Sequence, residues 1–118
     1  MGIYQIKEVK DGFMFNLIAA NGEIIGTSEH YAAKAGCHTG IKSVQHNAPI
    51  APVEDQTAGE SAPAPKFQLY KDAAEQFRFR LIAANGEIIL ASEGYTTKQH
   101  CHTGIASVKT NADSAVAE

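Results

Sequence analysis

The stretch Phe13-Met14-Phe15-Asn16-Leu17-Ile18-Ala19-Ala20-Asn21-Gly22-Glu23-Ile24-Ile25 occurs twice in this chain, returning 64 positions later as Phe77-Arg78-Phe79-Arg80-Leu81-Ile82-Ala83-Ala84-Asn85-Gly86-Glu87-Ile88-Ile89. The two copies share Phe, Phe and Leu at alternate positions. At the intervening positions the copies differ, because Arg78 and Arg80 of the second copy replace Met14 and Asn16 of the first. Because successive strand residues point to opposite faces of a sheet, we predict that the Phe-Phe-Leu face is buried.

An Asn-Gly pair ends each alternating run, and a second apolar run follows at once. Asn-Gly tolerates positive φ at both centres of a two-residue type I′ turn, so each copy is predicted to be a β-hairpin with that turn. A further strand precedes each hairpin, at residues 3–9 and 67–71. Each repeat is therefore predicted to open with a three-stranded antiparallel meander.

After the meander, the spacing of apolar residues changes from every second residue to the spacing of a helix. Cys37, Ile41 and Val44 fall at i, i+4 and i+7, and the second copy repeats the stripe 64 residues later. The capping-box spacing of Thr96 and Gln99 predicts that the second helix starts near Thr97, whereas the first copy has no such signal. Asn47 and Asn111 are predicted to end the helices in the left-handed conformation.

Gly40 and Gly104 lie inside the predicted helices, where each costs about 1 kcal/mol relative to alanine. A bare Cα on the buried side of a helix allows it to approach the sheet closely. Close packing is therefore the expected role of both glycines.

The chain is predicted to be one domain, 1–118, made of repeat 1 (1–53), a Pro-rich linker (54–66) and repeat 2 (67–118). Over residues 13–48 the copies are identical at 24 of 36 positions. A unit of about 50 residues buries little apolar surface alone, so the two should share one core. The expected molecule is a monomer that resembles a fused homodimer with a pseudo-two-fold axis.

Composition indicates a soluble globular protein, with 44% hydrophobic and 19% charged residues. The net charge of −3 argues against a nucleic-acid binder that works through a general positive field. The chain has no apolar run of the roughly 20 residues that a membrane span needs, and its start does not resemble a secretory signal. We therefore expect a cytoplasmic protein with reduced thiols at Cys37 and Cys101.

Three motifs occur in the same order in both copies: Phe-x-Phe-x-Leu-x-Ala-x-Asn-Gly, Ser-Glu-x-Tyr-x-x-Lys and Gly-Ile-x-Ser-Val-x-x-Asn. In these motifs the chain resembles the YegP-like family of small bacterial proteins. The resemblance implies an α+β fold: tandem β-β-β-α-β repeats that share one antiparallel sheet, with both helices on one face and the C-terminal strands exchanged. It implies no activity.

The pairs Cys37-His38 and Cys101-His102 offer four ligands for a tetrahedral zinc ion. Adjacent helical residues point about 100° apart, however, so one helix cannot easily direct both at one metal. A core cysteine beside a boundary histidine is the favoured interpretation, and His30 and His100 do not improve the geometry. A Cys37–Cys101 disulfide stays open but is disfavoured in a reducing compartment.

The motif Ser28-Glu29-x-Tyr31-x-x-Lys34 and its copy Ser92-Glu93-x-Tyr95-x-x-Lys98 contain groups that enzymes use. A lysine that lowers a tyrosine pKa can support acid–base chemistry. No phosphate-binding loop or partner nucleophile accompanies the motif. The favoured interpretation is structural, with Ser and Glu satisfying backbone donors and Tyr covering a core edge.

Arg78 and Arg80 form a positive strip on the outward face of one strand, with Lys66 and Lys71 near in sequence. Arginine beside aromatic rings can bind phosphates or single-stranded nucleic acid. Met14 and Asn16 stand there in the first repeat, and Glu75 and Glu87 offset the charge. A solvated sheet face is therefore favoured.

We expect a small non-enzymatic interaction module with an unidentified protein partner. Two alternatives remain: ligand or nucleic-acid binding through the exposed sheet face, and a metal protein built on the Cys-His pairs. The sequence assigns no catalytic, cofactor-binding or metal-binding residue.

Overall fold

The computed structural model describes residues 2–117 and has the predicted α+β fold. The strands are β1 Ile3–Val9, β2 Gly12–Ile18, β3 Ile24–Thr27, β4 Val53–Asp55, β5 Lys66–Lys71, β6 Phe77–Ile82, β7 Ile88–Ala91 and β8 Ala115–Ala117; the helices are α1 Lys34–Asn47 and α2 Lys98–Asn111. A short 3-10 turn, Gln56–Ala58, follows β4. Within residues 2–117, no helix has the length and apolar character needed to cross a membrane.

All eight strands lie in one sheet, in the order β4-β5-β6-β7-β3-β2-β1-β8. The two antiparallel meanders meet at β3 and β7, where Thr27 pairs with Ala91. At the sheet edges, β4 runs parallel to β5 and β8 runs parallel to β1. The prediction of a wholly antiparallel sheet is therefore wrong. Both edge strands follow a helix instead of a tight turn, and that connection does not impose an antiparallel partner.

Both helices pack on the same face of the sheet, and each spans the boundary between the repeats. Helix α1 contacts β2 and β7, whereas α2 contacts β6 and β3. The predicted buried face is confirmed, because Phe15, Leu17, Phe79 and Leu81 have no exposed surface. The apolar stripes of both helices belong to the same core cluster as these sheet residues. The stripe residues are Cys37, Ile41, Val44, Cys101, Ile105 and Val108.

The Asn-Gly turns differ from the predicted type I′. Gly22 has a φ of 87°, but Asn21 does not have a positive φ. The Gly22 N–H donates to the Ala19 carbonyl at 2.9 Å, and the Ala19 N–H donates to the Glu23 carbonyl at 2.9 Å. Residues 20–22 thus form a three-residue loop that combines a type I turn with a left-handed glycine. The Asn21 side chain favours it, because its Oδ1 accepts the Glu23 N–H at 3.0 Å.

The helix ends also differ in detail from the prediction. The N-cap of α2 is Thr97, whose hydroxyl accepts the His100 N–H at 3.1 Å, so the predicted Thr96–Gln99 box does not form. At the equivalent position of α1, Ala33 provides no side-chain cap, as its sequence indicated. Asn47 is the last helical residue and is not left-handed. Its side-chain amide instead donates to the Ser43 carbonyl at 2.8 Å. At the end of α2, the Asn111 amide donates to the Ser107 carbonyl at 2.8 Å.

Residues Glu54 and Asp55, predicted to belong to the linker, form part of β4. Glu54 is only 3% exposed and accepts hydrogen bonds from the Lys66 ammonium at 2.8 Å and the Ala62 N–H at 2.9 Å. Glu60 accepts the Asp55 N–H at 2.9 Å. The rest of the linker is therefore tied to the β4 edge of the sheet.

Candidate functional site

The structure buries both cysteines and does not gather the histidines around them. Cys37 and Cys101 are free thiols with no exposed surface, whereas His102 is exposed. His30 and His100 are exposed as well. Among residues 2–117, no three His, Cys, Asp or Glu side chains lie close enough together to hold a metal ion. The geometry thus gives no support to the zinc hypothesis.

The Ser and Tyr residues of the Ser-Glu-x-Tyr motif have the predicted structural roles. The Ser28 hydroxyl accepts the Phe15 N–H at 2.8 Å and donates to the Glu29 carbonyl at 2.7 Å. Ser92 makes the equivalent pair of bonds in the second repeat. The Tyr31 ring stacks on Phe15 with centroids 6.4 Å apart, which covers the edge of the core.

The structure does not assemble an acid–base pair from Tyr and Lys. The Lys98 ammonium is bound to the Asp55 carboxylate at 2.9 Å. Lys34 lies over the Phe13 ring at 5.9 Å. Burial raises the pKa of Tyr95 and of Tyr31, which opposes the activation that acid–base catalysis needs.

The basic side chains of the predicted positive strip already have partners. Arg78 forms a 2.6 Å ion pair with Asp72, and Lys66 forms one of 2.8 Å with Glu54. Arg80 stacks on the Tyr70 ring at 4.4 Å and donates to Gln68 at 2.7 Å. These contacts neutralise or occupy most of the charge that a phosphate backbone would need to meet.

Two clefts lie on the helix side of the sheet, each between the two repeats. The first, of about 300 Å³, is lined by Ala19, Asn21, Glu23, Ile25, Tyr95, His100, Thr103, Gly104 and Ser107. The second, of about 260 Å³, is lined by Tyr31, Gly36, Thr39, Gly40, Ser43, Asn85, Glu87 and Ile89. We call them the Tyr95 cleft and the Tyr31 cleft.

The clefts are related by the pseudo-two-fold axis, and each takes its walls from both repeats. In the Tyr31 cleft the tyrosine and helix α1 come from repeat 1, and Asn85, Glu87 and Ile89 come from the β6–β7 hairpin of repeat 2. The Tyr95 cleft reverses these contributions. The matched lining residues are identical except that His100 of the Tyr95 cleft replaces Gly36 of the Tyr31 cleft.

Gly40 and Gly104 form the floors of the clefts. A Cβ at Gly40 would lie 2.5 Å from the Tyr31 hydroxyl oxygen, and one at Gly104 would lie equally close to the Tyr95 hydroxyl oxygen. Close packing at both glycines was predicted, but the partner is a tyrosine as well as the sheet. The glycines therefore set the position of each phenol in its cleft.

Each cleft combines a phenol with a carboxylate from the other repeat. The pKa of Tyr31 is raised first by burial, and then by the nearby Cys37, Glu29 and Glu87. Glu23 has the same effect on the pKa of Tyr95, after burial, Cys101 and Glu93. None of the cleft-lining residues that the structure describes is Lys or Arg. The clefts are thus rich in hydrogen-bond acceptors and carry negative charge.

Sequence reasoning missed the clefts because their two walls are more than 40 residues apart in the chain. One signal was available in the repeat itself. Thr39 and Glu23 are exposed, yet their counterparts Thr103 and Glu87 are identical. Core packing does not require identity at exposed positions, so such matches indicate a shared surface.

The fold and its paired clefts define a small two-repeat α+β protein whose candidate sites lie between the repeats. Both repeats match the family model described as Domain of unknown function (DUF1508), at residues 9–55 and 72–118. The chain belongs to the YegP-like UPF0339 family, as its motifs predicted.

Curated relatives match almost the whole chain. The UPF0339 protein YegP of Yersinia pestis is 40% identical over 117 residues, which cover 98% of this chain and 93% of YegP. A UPF0339 protein of Bordetella pertussis is 43% identical over 115 residues, which cover 97% of this chain and 91% of the relative.

Two solved structures share the fold. The solution structure of YegP from Escherichia coli, described as a protein of unknown function, has a TM-score of 0.80 at 37% identity, covering 98% of this chain and 90% of YegP. A UPF0339 protein from Shewanella oneidensis has a TM-score of 0.79 at 33% identity, covering 98% of this chain and 89% of the relative. The family is thus clear, and it brings no assigned activity.

Proposed function

We propose that this protein is a non-enzymatic, cytoplasmic interaction module that binds its partner through the Tyr31 and Tyr95 clefts. One observation carries the proposal: the exposed cleft residues Thr39 and Glu23 are identical to their counterparts Thr103 and Glu87 in the other repeat. Within residues 2–117, the hydroxyls of Thr39 and Thr103 bond only to carbonyls four residues back in their own helices, at 3.1 Å. Other residues could replace these local bonds without loss to the fold. A shared binding role accounts for the identity of the two threonines.

The chemistry of the clefts supports binding more than catalysis. Burial raises the pKa of the Cys101 thiol to about 11, and it also raises the pKa of Cys37, so neither is a ready thiolate at neutral pH. The raised pKa of Tyr31 and Tyr95 likewise keeps both phenols protonated. Protonated phenols, amides and hydroxyls are groups that position a ligand.

We further propose that the folding unit is β-β-β-α-β and that the two units exchange their fourth strands. The parallel pairing of β4 with β5 and of β8 with β1 supports this arrangement. The positions of α1 and α2 across the repeat boundary agree with it. Each cleft takes its walls from both repeats, so the proposed binding depends on both repeats in one monomer.

A second candidate surface is the open face of the sheet. Ile3, Ile18 and Ile24 form a row across β1, β2 and β3, and Ile3 and Ile24 are 37% and 43% exposed. This row could accept a ligand or the bases of a single strand. It ranks second because Lys66 and Arg78, basic residues on other strands of the same sheet, are held in ion pairs. An electrophoretic shift with single-stranded DNA or RNA at low and moderate salt tests this surface.

The experiment for the clefts is affinity capture from a bacterial lysate with a matched pair of double variants. Thr39→Trp with Thr103→Trp fills both clefts from exposed helix positions. Lys42→Trp with Ala106→Trp adds the same two rings at equivalent exposed positions outside the cleft linings. We expect a partner that the wild-type and control proteins retain and the cleft-filled protein loses. Equal retention by all three would contradict binding through the clefts.

A further inference from the structure

The Tyr31 cleft presents acceptors and an aromatic ring to whatever enters it. Glu87 supplies a carboxylate and Asn85 an amide, both from exposed positions on the β6–β7 hairpin. Ser43 and Thr39 supply hydroxyls from α1, and Tyr31 supplies its ring and phenol. Carboxylates bind charged donors more strongly than neutral ones, and aromatic faces attract cations.

We propose that the Tyr31 cleft binds an organic cation, an ammonium or guanidinium group on an alkyl chain the size of a lysine or arginine side chain. The inference rests on the proposed function and names the chemistry of its ligand. The cation would lie between the Glu87 carboxylate and the Tyr31 ring. Its alkyl chain would contact Ile89, which lines the same cleft. The net charge of −3 favours the approach of such a ligand.

A metal ion fits the cleft less well than an organic cation. Calcium takes six to eight oxygen ligands, commonly with several carboxylates among them. Glu87 is the one carboxylate among the residues described as lining the Tyr31 cleft. A lining with a single carboxylate, an aromatic ring and an aliphatic wall matches the mixed surface of an alkylammonium or alkylguanidinium ion.

The two clefts are expected to differ in affinity because of a single residue. Gly36 places no side chain against the Tyr31 ring, where a Cβ would lie 3.1 Å from the Tyr31 Cβ and Cδ1. In the Tyr95 cleft the imidazole of His100 takes the equivalent position and offers its own N–H to the acceptors there. His100 therefore competes with a bound cation, and the Tyr31 cleft should bind it more tightly.

An NMR titration of the full chain with n-butylammonium and n-butylguanidinium tests the proposal, at constant ionic strength and with n-butanol as the neutral control. We expect saturable shifts of the Gly36, Asn85 and Glu87 amides with at least one cation and none with n-butanol. Glu87→Gln should weaken binding in this cleft by about tenfold, the loss typical of one charge-assisted bond. Glu23→Gln, the matched change in the Tyr95 cleft, should leave the affinity of the Tyr31 cleft unchanged.

A second pair of variants tests the role of His100. His100→Gly should raise the affinity of the Tyr95 cleft to that of the Tyr31 cleft, and Gly36→His should lower the affinity of the Tyr31 cleft. A capped Gly-Arg-Gly peptide then identifies the source of the cation. Tighter binding of the peptide than of n-butylguanidinium indicates a partner side chain; equal or weaker binding indicates a free small molecule.

Shifts that do not saturate, that n-butanol reproduces, or that persist unchanged in Glu87→Gln would overturn the cation proposal. Its failure is distinguishable from failure of the proposed function. If the cations do not bind but Thr39→Trp with Thr103→Trp still abolishes partner capture, the clefts bind a ligand of another chemistry. If both experiments fail, the clefts are not the binding site.

Discussion

The Leu90 side chain fills the space that a side chain at Gly26 would occupy. The two residues hold equivalent positions in the two repeats and lie on the central strands β7 and β3. Leu90 has no exposed surface, and a Cβ at Gly26 would lie 2.6 Å from its Cδ2 atom. The pseudo-two-fold axis passes between these strands, so two leucines would collide there. The copies therefore differ at this position because they share one core.

This contact makes a prediction about coupling between the repeats. Leu90→Ala should cost about 2–5 kcal/mol of stability through the cavity it leaves, and Gly26→Ala about 1–3 kcal/mol through overpacking. In the double variant the new methyl group enters the space that Leu90 vacated. In chemical denaturation we expect the double variant to lose less stability than the sum of the two single-variant losses. Strict additivity would mean that the two side chains do not share that space.

The two faces of strands β2 and β6 should differ sharply in their effect on stability. Phe15→Ala and Phe79→Ala remove fully buried rings and should each cost about 3–5 kcal/mol, enough to unfold a small domain. Met14→Ala and Arg80→Ala, on the opposite face, should cost far less. Chemical denaturation compares all four variants. Equal losses on both faces would contradict the assignment of the buried face.

Local pattern in the sequence was enough to predict the six meander strands, the two helices and the buried face. Alternation placed Phe15 and Phe79 correctly, and the helical stripe identified Cys37 and Ile41 as core residues. Turn and cap details were less accessible, because several hydrogen-bond patterns suit the same residues. Asn21, for example, uses its side chain to stabilise a three-residue loop instead of adopting a positive φ.

The clefts and the edge pairings could not be derived from local pattern, because they join residues far apart in the chain. Glu87 meets Tyr31 only after the two meanders pair at β3 and β7. The short edge strands have too few residues to show alternation. Glu54 of β4 adjoins a Pro-rich, polar stretch, and that composition predicts a linker. The burial of Glu54 depends on Lys66, whose contact with it no periodicity reveals.

Glu54 should make the protein sensitive to acid. Its hydrogen bond from Lys66 is the main cause that lowers its pKa from 4.5 to about 2. Because the folded-state pKa lies below the unfolded one, the stabilisation is complete above pH 4.5 and is lost as the pH falls towards 2. Glu54→Gln should therefore lower the urea midpoint at pH 7 and reduce its fall between pH 4.5 and 2.

Glu8→Gln, a change at an exposed carboxylate of β1, is the control for this measurement. It should leave the urea midpoint at pH 7 and its dependence on pH close to those of the wild type. A Glu54→Gln protein with the wild-type pH dependence would show that the Lys66–Glu54 pair does not stabilise the fold.

Exchange of the fourth strands predicts a long-range effect of the C-terminal residues. Truncation after Ala112 removes β8, which pairs with residues Ile3–Gln5 of β1. Hydrogen-exchange protection should fall in β1, more than 100 residues away in sequence, and should be unchanged in β5, which keeps its partner β4. Unchanged protection of β1 in the truncated protein would contradict the exchange.

The most direct test of the central claim, that each cleft is built from both repeats, is a crossed titration of Tyr31 and Tyr95. Glu87 of repeat 2 contributes to the raised pKa of Tyr31, and Glu23 of repeat 1 contributes to that of Tyr95. NMR of ring-labelled tyrosine measures both phenols in Glu87→Gln and in Glu23→Gln. We predict that Glu87→Gln lowers the pKa of Tyr31 alone and that Glu23→Gln lowers the pKa of Tyr95 alone. A shift confined in each variant to the tyrosine of the same repeat, or no shift in either, would contradict the shared clefts.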